Sequence, residues 1–181
     1  MIGRPVAETL FSYAQISDAL DTMAVVLNRR CAGTEWLVLC VMNGALMFTG
    51  ELLRRLDFAL KLDQIKVSRY LETTSGQSLQ WQVKPSTELA GRRILLLDDI
   101  FDEGVTLATL KAFCESQGAS EVLSAVLVEK RHGRRQTDYV PDVVGLVCPD
   151  RYIFGFGMDY EGYWRNSQAI YAMPDTQPKV Q

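Results

Sequence analysis

Ile16, Leu20, Met23 and Leu27 stand three or four residues apart, the spacing of one face of a helix. Ser12 and Gln15 ahead of them have the form of a capping box. The pattern then changes. WLVLCVM (36–42) is almost continuously apolar, as expected of a strand covered on both faces. NGA interrupts it, and LMFTGELLRRL (46–56) reads as an amphipathic helix. LKLDQIKVSRY (60–70) and SLQWQVK (78–84) alternate apolar and polar, with ETTSG before the second, which predicts a mobile hairpin or flap over roughly 68–84.

RRILLLDDI follows as a strand, then TLATLKAFCESQGA (106–119) as a helix ending near Gly118. EVLSAVLVEK (121–130) and VVGLVCP (143–149) are two further strands. Strands alternating with helices predict an α/β fold, a mostly parallel central sheet flanked by helices. Right-handed crossovers bring the strand ends, and with them the ligand sites, to one edge. The aromatic and glycine-rich DRYIFGFGMDYEGYWRN is too irregular for another core unit and is expected to form a lid.

Composition narrows the function. A length of 181 residues suits a single domain, and 48% hydrophobic with 23% charged residues is ordinary for a folded chain. A net charge of −3 and a pI near 5.2 argue against nucleic acid or an anionic membrane as partner. An anionic substrate must then be held by local donors. The four cysteines (31, 40, 114 and 148) lack CxxC spacing and there is one histidine, so a zinc site or disulfide framework is not expected. A cytoplasmic location fits, as does the lack of a signal segment or a run of membrane-spanning length.

The chemistry concentrates in ILLLDDIFDEGVTL (94–107), an apolar strand running into Asp98, Asp99, Asp102 and Glu103. The glycine and the helix start that follow expose backbone amides, and a helix N-terminus favours phosphate. Carboxylates left solvated at the strand end would accept hydroxyls, so the pair suits a sugar phosphate. Two other readings exist. Acidic residues often only cap the next helix. DDIFD also spells the DDxxD motif of terpenoid synthases, but there the motif lies on a helix, whereas here an apolar strand precedes it.

The same stretch resembles the phosphoribosyl pyrophosphate (PRPP) loop of type I phosphoribosyltransferases. The resemblance extends over most of the chain and fits the hypoxanthine-guanine branch best. VLCVMNGALMFTGELLRRL is similar to that branch's pyrophosphate loop and following helix, LVEKRHGRR to the segment with its base-reading lysine, and PDRYIFGFGMDYEGYWRN to its hood. The resemblance implies that fold, with a small hood made from the N-terminal segment and roughly 150–175. It also implies a purine salvage enzyme that joins hypoxanthine or guanine to PRPP with Mg2+, working as a homodimer or homotetramer. Xanthine- or pyrimidine-preferring transferases, and nucleotide- or RNA-binding regulators of the same fold, are the alternatives.

By the same resemblance, Asp98 and Asp99 would bind the ribose hydroxyls and Asp102 would manage the purine N7 proton. The backbone from Asp102 through Glu103, Gly104 and Val105 to Thr106 would hold the 5-phosphate. Asn43, Gly44 and Arg165 would meet pyrophosphate. Lys130 would donate to the 6-oxo group, Tyr152 would stack on the purine, and Ile153 would meet its edge through the backbone. Asp159 would stand in the base site and, with Asp98 and Asp99, would place the metal. Three residues depart from the family pattern. Asn43 stands where Lys or Arg is usual, Glu103 replaces a small Thr or Ser, and Arg69 is a cation on the flap that could replace the missing one. A phosphate dianion repels the Glu103 carboxylate, so that side chain is expected to point away and pair with a cation such as Arg69. The basic run Arg131, His132, Arg134 and Arg135 is expected to be a solvated loop, with an RNA-contacting patch as its other reading.

Overall fold

The computed structural model describes residues 3, 5–72 and 76–174, with backbone alone over 69–72 and 76–79. The helix expected first is α1, Tyr13–Cys31, opened by the Ser12–Gln15 capping box. Its buried residues include Ile16, Leu20, Met23 and Leu27, the stripe read from the pattern. The short strand β1, Glu8–Phe11, precedes it. Strand β2, Trp36–Val41, is buried throughout, and α2, Leu46–Leu53, follows it. Helix α2 stops earlier than its apolar pattern suggests. Arg55 turns back instead to Asp21 (Nε–Oδ1 2.6 Å), Ser17 and Glu51.

Strands β3, Leu60–Glu72, and β4, Gly76–Val83, form the antiparallel hairpin, with 73–75 outside the described residues. Then come β5, Arg93–Phe101, α3, Val105–Ser116, β6, Glu121–Arg131, and β7, Val143–Pro149. The central sheet has the order β4-β3-β2-β5-β6-β7 and is parallel except for the β3–β4 pair. Successive side chains of a strand face opposite sides of a sheet. Leu95 and Leu97 of β5 therefore join the core under α1 and α2, while Ile94 and Leu96 join the core under α3. This is a mostly parallel α/β sheet with helices on both faces.

The irregular aromatic segment is less irregular than expected. It contributes β8, Ile153–Phe154, and the chain then reaches β9, Ile170–Ala172. With β1 these make a second sheet of order β1-β9-β8, antiparallel throughout. Among the described residues, no helix is long and apolar enough to cross a membrane.

Candidate active site

Strand β5 runs through both adjacent aspartates to Phe101, close to the RRILLLDDI reading. The expectation of solvated carboxylates is corrected, since Asp98 is 6% and Asp99 9% exposed. Burial, the largest influence, pushes the Asp99 carboxyl up. Its contact with Asp98, its backbone amide partners and the charge of Arg165 act in the opposite sense without prevailing. Gly44 lies hard against this carboxylate, and a Cβ there would stand 2.0 Å from Asp99 Oδ2. The Met42–Asn43 peptide beside it is cis.

After β5 the chain bends, and Gly104 leads into α3 with φ 88°, a left-handed conformation in which other residues are strained. Val105, Thr106 and Leu107 open α3, where helix geometry leaves the first amides without intrahelical acceptors. A cavity of about 670 Å3 lies over this turn. It brings together Asn43, Gly44, Asp98, Asp99, Asp102, Gly104, Thr106, Tyr152, Asp159 and Arg165 from segments far apart in the chain. Val41, Met42, Val67, Ile100, Phe101 and Leu107 complete its wall, and the sequence reading gave none of these side chains a role.

Glu103, Val105, Lys130 and Ile153 do not line this cavity. Ile153 is buried in β8, paired with Ala172. The Arg69 side chain lies outside the described residues. Tyr152 is 40% exposed and donates its hydroxyl to the Asp159 carbonyl at 3.2 Å. Asp159 is already engaged, with Oδ1 2.6 Å from Arg165 Nη2 and Oδ2 accepting the Gly162 amide at 2.8 Å. Arg165 also donates to the Gly157 carbonyl at 2.7 Å. Phe156, Glu161 and Trp164 adopt positive φ in the turns that aim it, a strained conformation for residues with side chains.

Lys130 is 9% exposed and donates from Nζ to Asp102 Oδ2 at 3.1 Å. The basic run after it is only in part the solvated loop expected: Arg131 and Arg134 are exposed, whereas His132 is not. The His132 side chain is 3% exposed and its Nε2 lies 2.6 Å from Asp102 Oδ1. Arg134 reaches Asp150 (2.6 Å), Glu103 (3.2 Å) and Asp102 (3.5 Å). Arg135 pairs with Glu129 and lies over the Phe101 ring. Burial, the largest single influence, pushes the Asp102 carboxyl up, but Lys130, His132 and Arg134 together draw it below its ordinary value. The Glu103 carboxylate is turned to Arg134, which donates to its Oε1 at 3.2 Å. Asp102, His132 and Asp150 bring ligand atoms within 4.8 Å of one another, room for a small cation, and the Arg134 guanidinium already supplies one.

A buried carboxylate pair, a glycine turn into a helix N-terminus and an acid–lysine pair thus lie along one sheet edge. The model of the phosphoribosyl transferase domain matches residues 7–161, most of the chain. The chain belongs to the phosphoribosyltransferase family. Its relatives include the hypoxanthine-guanine phosphoribosyltransferase of Lactococcus lactis, 32% identical over 91% of this chain and 90% of that one. The hypoxanthine-guanine-xanthine phosphoribosyltransferase of Tritrichomonas foetus is 30% identical over 89% and 88%. Among solved phosphoribosyltransferases, a hypoxanthine-guanine enzyme from Bacillus anthracis superposes with a TM-score of 0.85 at 26% identity, over 93% of this chain and 98% of that one.

Proposed function

We infer that this phosphoribosyltransferase joins a 6-oxopurine, hypoxanthine or guanine, to PRPP, releasing pyrophosphate and a nucleoside monophosphate, a reaction of purine salvage. The observation that carries the choice of base is the Lys130–Asp102 pair. A 6-oxopurine presents O6 and N7 side by side on one edge. Lys130 offers only donors and suits O6, while the Asp102 carboxylate beside it suits a proton on N7. Adenine puts an amino group where Lys130 needs an acceptor.

In the reaction, N9 of the base bonds to C1 of the ribose as the bond from C1 to the pyrophosphate oxygen breaks. The N7 proton passes to Asp102. Asp98 and Asp99 accept the ribose hydroxyls, and the 5-phosphate sits on the backbone from Asp102 to Thr106 at the start of α3. Glu103 contributes only its backbone there, because its carboxylate is held by Arg134. Tyr152 covers the base, whose edge meets the backbone of Ile153. Asn43, Gly44 and Arg165, with Arg69 from the hairpin, receive pyrophosphate, and closure of the hairpin excludes water.

The oxygen donors on the cavity wall fit a hard divalent ion such as Mg2+, and the crowded Asp98–Asp99 pair would gain from a cation. Asp98, Asp99 and Asp159 would hold it with the substrate's oxygens, and its charge would ease departure of pyrophosphate. A cytoplasmic setting accords with four free, buried cysteines. Assembly as a homodimer or homotetramer belongs to the same proposal, and the exposed Leu46 and Leu62 beside a groove on α2 and β3 are suited to a second copy.

The test is nucleotide formation from PRPP and Mg2+ with each of hypoxanthine, guanine, xanthine, adenine and uracil. Hypoxanthine or guanine should lead, and adenine should be poorer by roughly tenfold or more in kcat/KM. Asp102→Asn should lower kcat by about 10²–10⁴-fold with PRPP affinity little changed. Efficient use of adenine, or near-normal turnover of the variant, would refute these assignments.

A further inference from the structure

His132 is the single histidine of the chain, and its side chain is almost fully buried. Its Nδ1 accepts the backbone N–H of Arg134 at 2.9 Å, so that nitrogen carries no proton. The ring proton is therefore on Nε2, which donates to Asp102 Oδ1 across 2.6 Å. Arg134 secures this arrangement from outside. Its side chain is held by Asp150 at 3.1 and 2.6 Å and by Glu103 at 3.2 Å, which fixes the backbone amide that selects the tautomer.

The two oxygens of Asp102 then differ. Oδ2 is bonded by Lys130 and Oδ1 by His132. Lys130 has a second acceptor to turn to when a 6-oxo base arrives, whereas His132 has none. We propose that His132 is a positioning residue for Asp102. Its Nε2–H holds Oδ1 and keeps the carboxylate ionised, so that Oδ2 is the oxygen that takes the proton once Lys130 turns to the base. This rests on the reading of Asp102 as the general base. The groups that face Asp102 are Lys130 of β6, His132 and Arg134 of the loop after it, Glu103 beside it, and Cys148 and Asp150 at the end of β7. The three donors outweigh burial in setting the Asp102 carboxyl below its ordinary value.

His132→Leu removes the donor, and His132→Gln restores an N–H at about the same reach. Two readouts are taken on the ligand-free and working enzyme: the titration of the Asp102 carboxyl by 13C NMR, and the pH profile of kcat with KM for PRPP. With His132→Leu the carboxyl should titrate at higher pH, and the acid limb of kcat should move up with it. Turnover should fall by roughly 10–100-fold, as for other orienting partners, with KM for PRPP within about twofold of wild type. His132→Gln should recover most of both. An unmoved carboxyl titration and an unmoved acid limb in His132→Leu overturn the proposal. Should the Leu variant not fold, His132→Ala is read in its place: an upward shift of the carboxyl titration that His132→Gln reverses supports the proposal, and an unmoved titration overturns it. Failure of the general-base reading shows separately, as wild-type turnover in Asp102→Asn, and leaves the carboxyl titration to judge the contact itself.

Discussion

At the scale of single residues the site depends on a missing side chain. Gly44 permits the Asp99 carboxylate to lie where a Cβ would stand 2.0 Å from its Oδ2 and 2.5 Å from its Cγ. Asp99 is buried apart from the cavity it lines, so an alanine at 44 must push it off position. Gly44→Ala should therefore lower kcat/KM for PRPP by about 10²-fold or more, the effect of an ångström-scale misplacement. Circular dichroism and melting should change little, because the substitution touches the cavity and not the packed core. Wild-type kinetics in this variant would show that Asp99 does not need its present place. Gly157 works from the other side of the same loop. Its φ of 102° and its approach to the Gly44 carbonyl leave no room for a Cβ.

At the scale of elements, Asp63 on β3 pins the segment that leads from the hairpin into β5. It accepts the Ser86 and Thr87 amides at 2.9 and 2.8 Å, the Ser86 hydroxyl at 2.9 Å and the Gln64 amide at 2.7 Å. Burial, the largest single influence, pushes its carboxyl up, but these donors prevail and the carboxyl lies below its ordinary value. A depressed carboxyl favours the folded state above the ordinary carboxylate range and loses that effect as the pH falls through its folded value. Asp63→Ala should thus cost on the order of 1–2 kcal/mol in urea unfolding at neutral pH. The gap to wild type should close as the assay moves from neutral pH to an acid pH below the depressed folded-state value of Asp63, where wild-type Asp63 is also protonated. An equal gap at both pH values would rule out the ionic part of the account.

At the scale of the whole molecule, the smaller sheet is tied together by Arg151. Its Nε and Nη2 donate to the Met173 carbonyl at 3.2 and 2.8 Å, and Nη1 reaches Glu8 of β1 at 2.8 Å. The Met173 amide in turn donates to the Tyr152 carbonyl at 2.9 Å, so the same cluster sets the residue expected to cover the base. Removing a charged donor of this kind costs about 1.5–3 kcal/mol. Arg151→Ala should lower the melting temperature by roughly 3–10 °C in calorimetry. It should also raise KM for the base more than KM for PRPP. Equal changes in the two KM values would mean that the smaller sheet does not govern the base pocket.

Local pattern alone determined a good part of this molecule. The capping box and four-residue stripe of α1, the buried β2 and β5, and the turn at Gly104 into α3 all lie within short stretches of chain. Their periods follow from the geometry of one helix or one strand. The clustering of Asp98, Asp99 and Asp102 was legible for the same reason, since one strand end carries all three. Tertiary structure decided what no period records. Pairing of β1 with β9 joins opposite ends of the chain, and neither short strand has enough residues to show an alternation. Asp99 lies against Gly44 and under the charge of Arg165, which arrive from other elements. Arg131 to Arg135 read as a solvated basic run because a chain read alone shows charges without their partners. The fold buries His132 against Asp102 and sets Arg135 on Glu129, while Arg131 and Arg134 stay exposed, and a desolvated charge persists only when paired. Charge type is a property of the sequence, but the partner of a charge is a property of the fold.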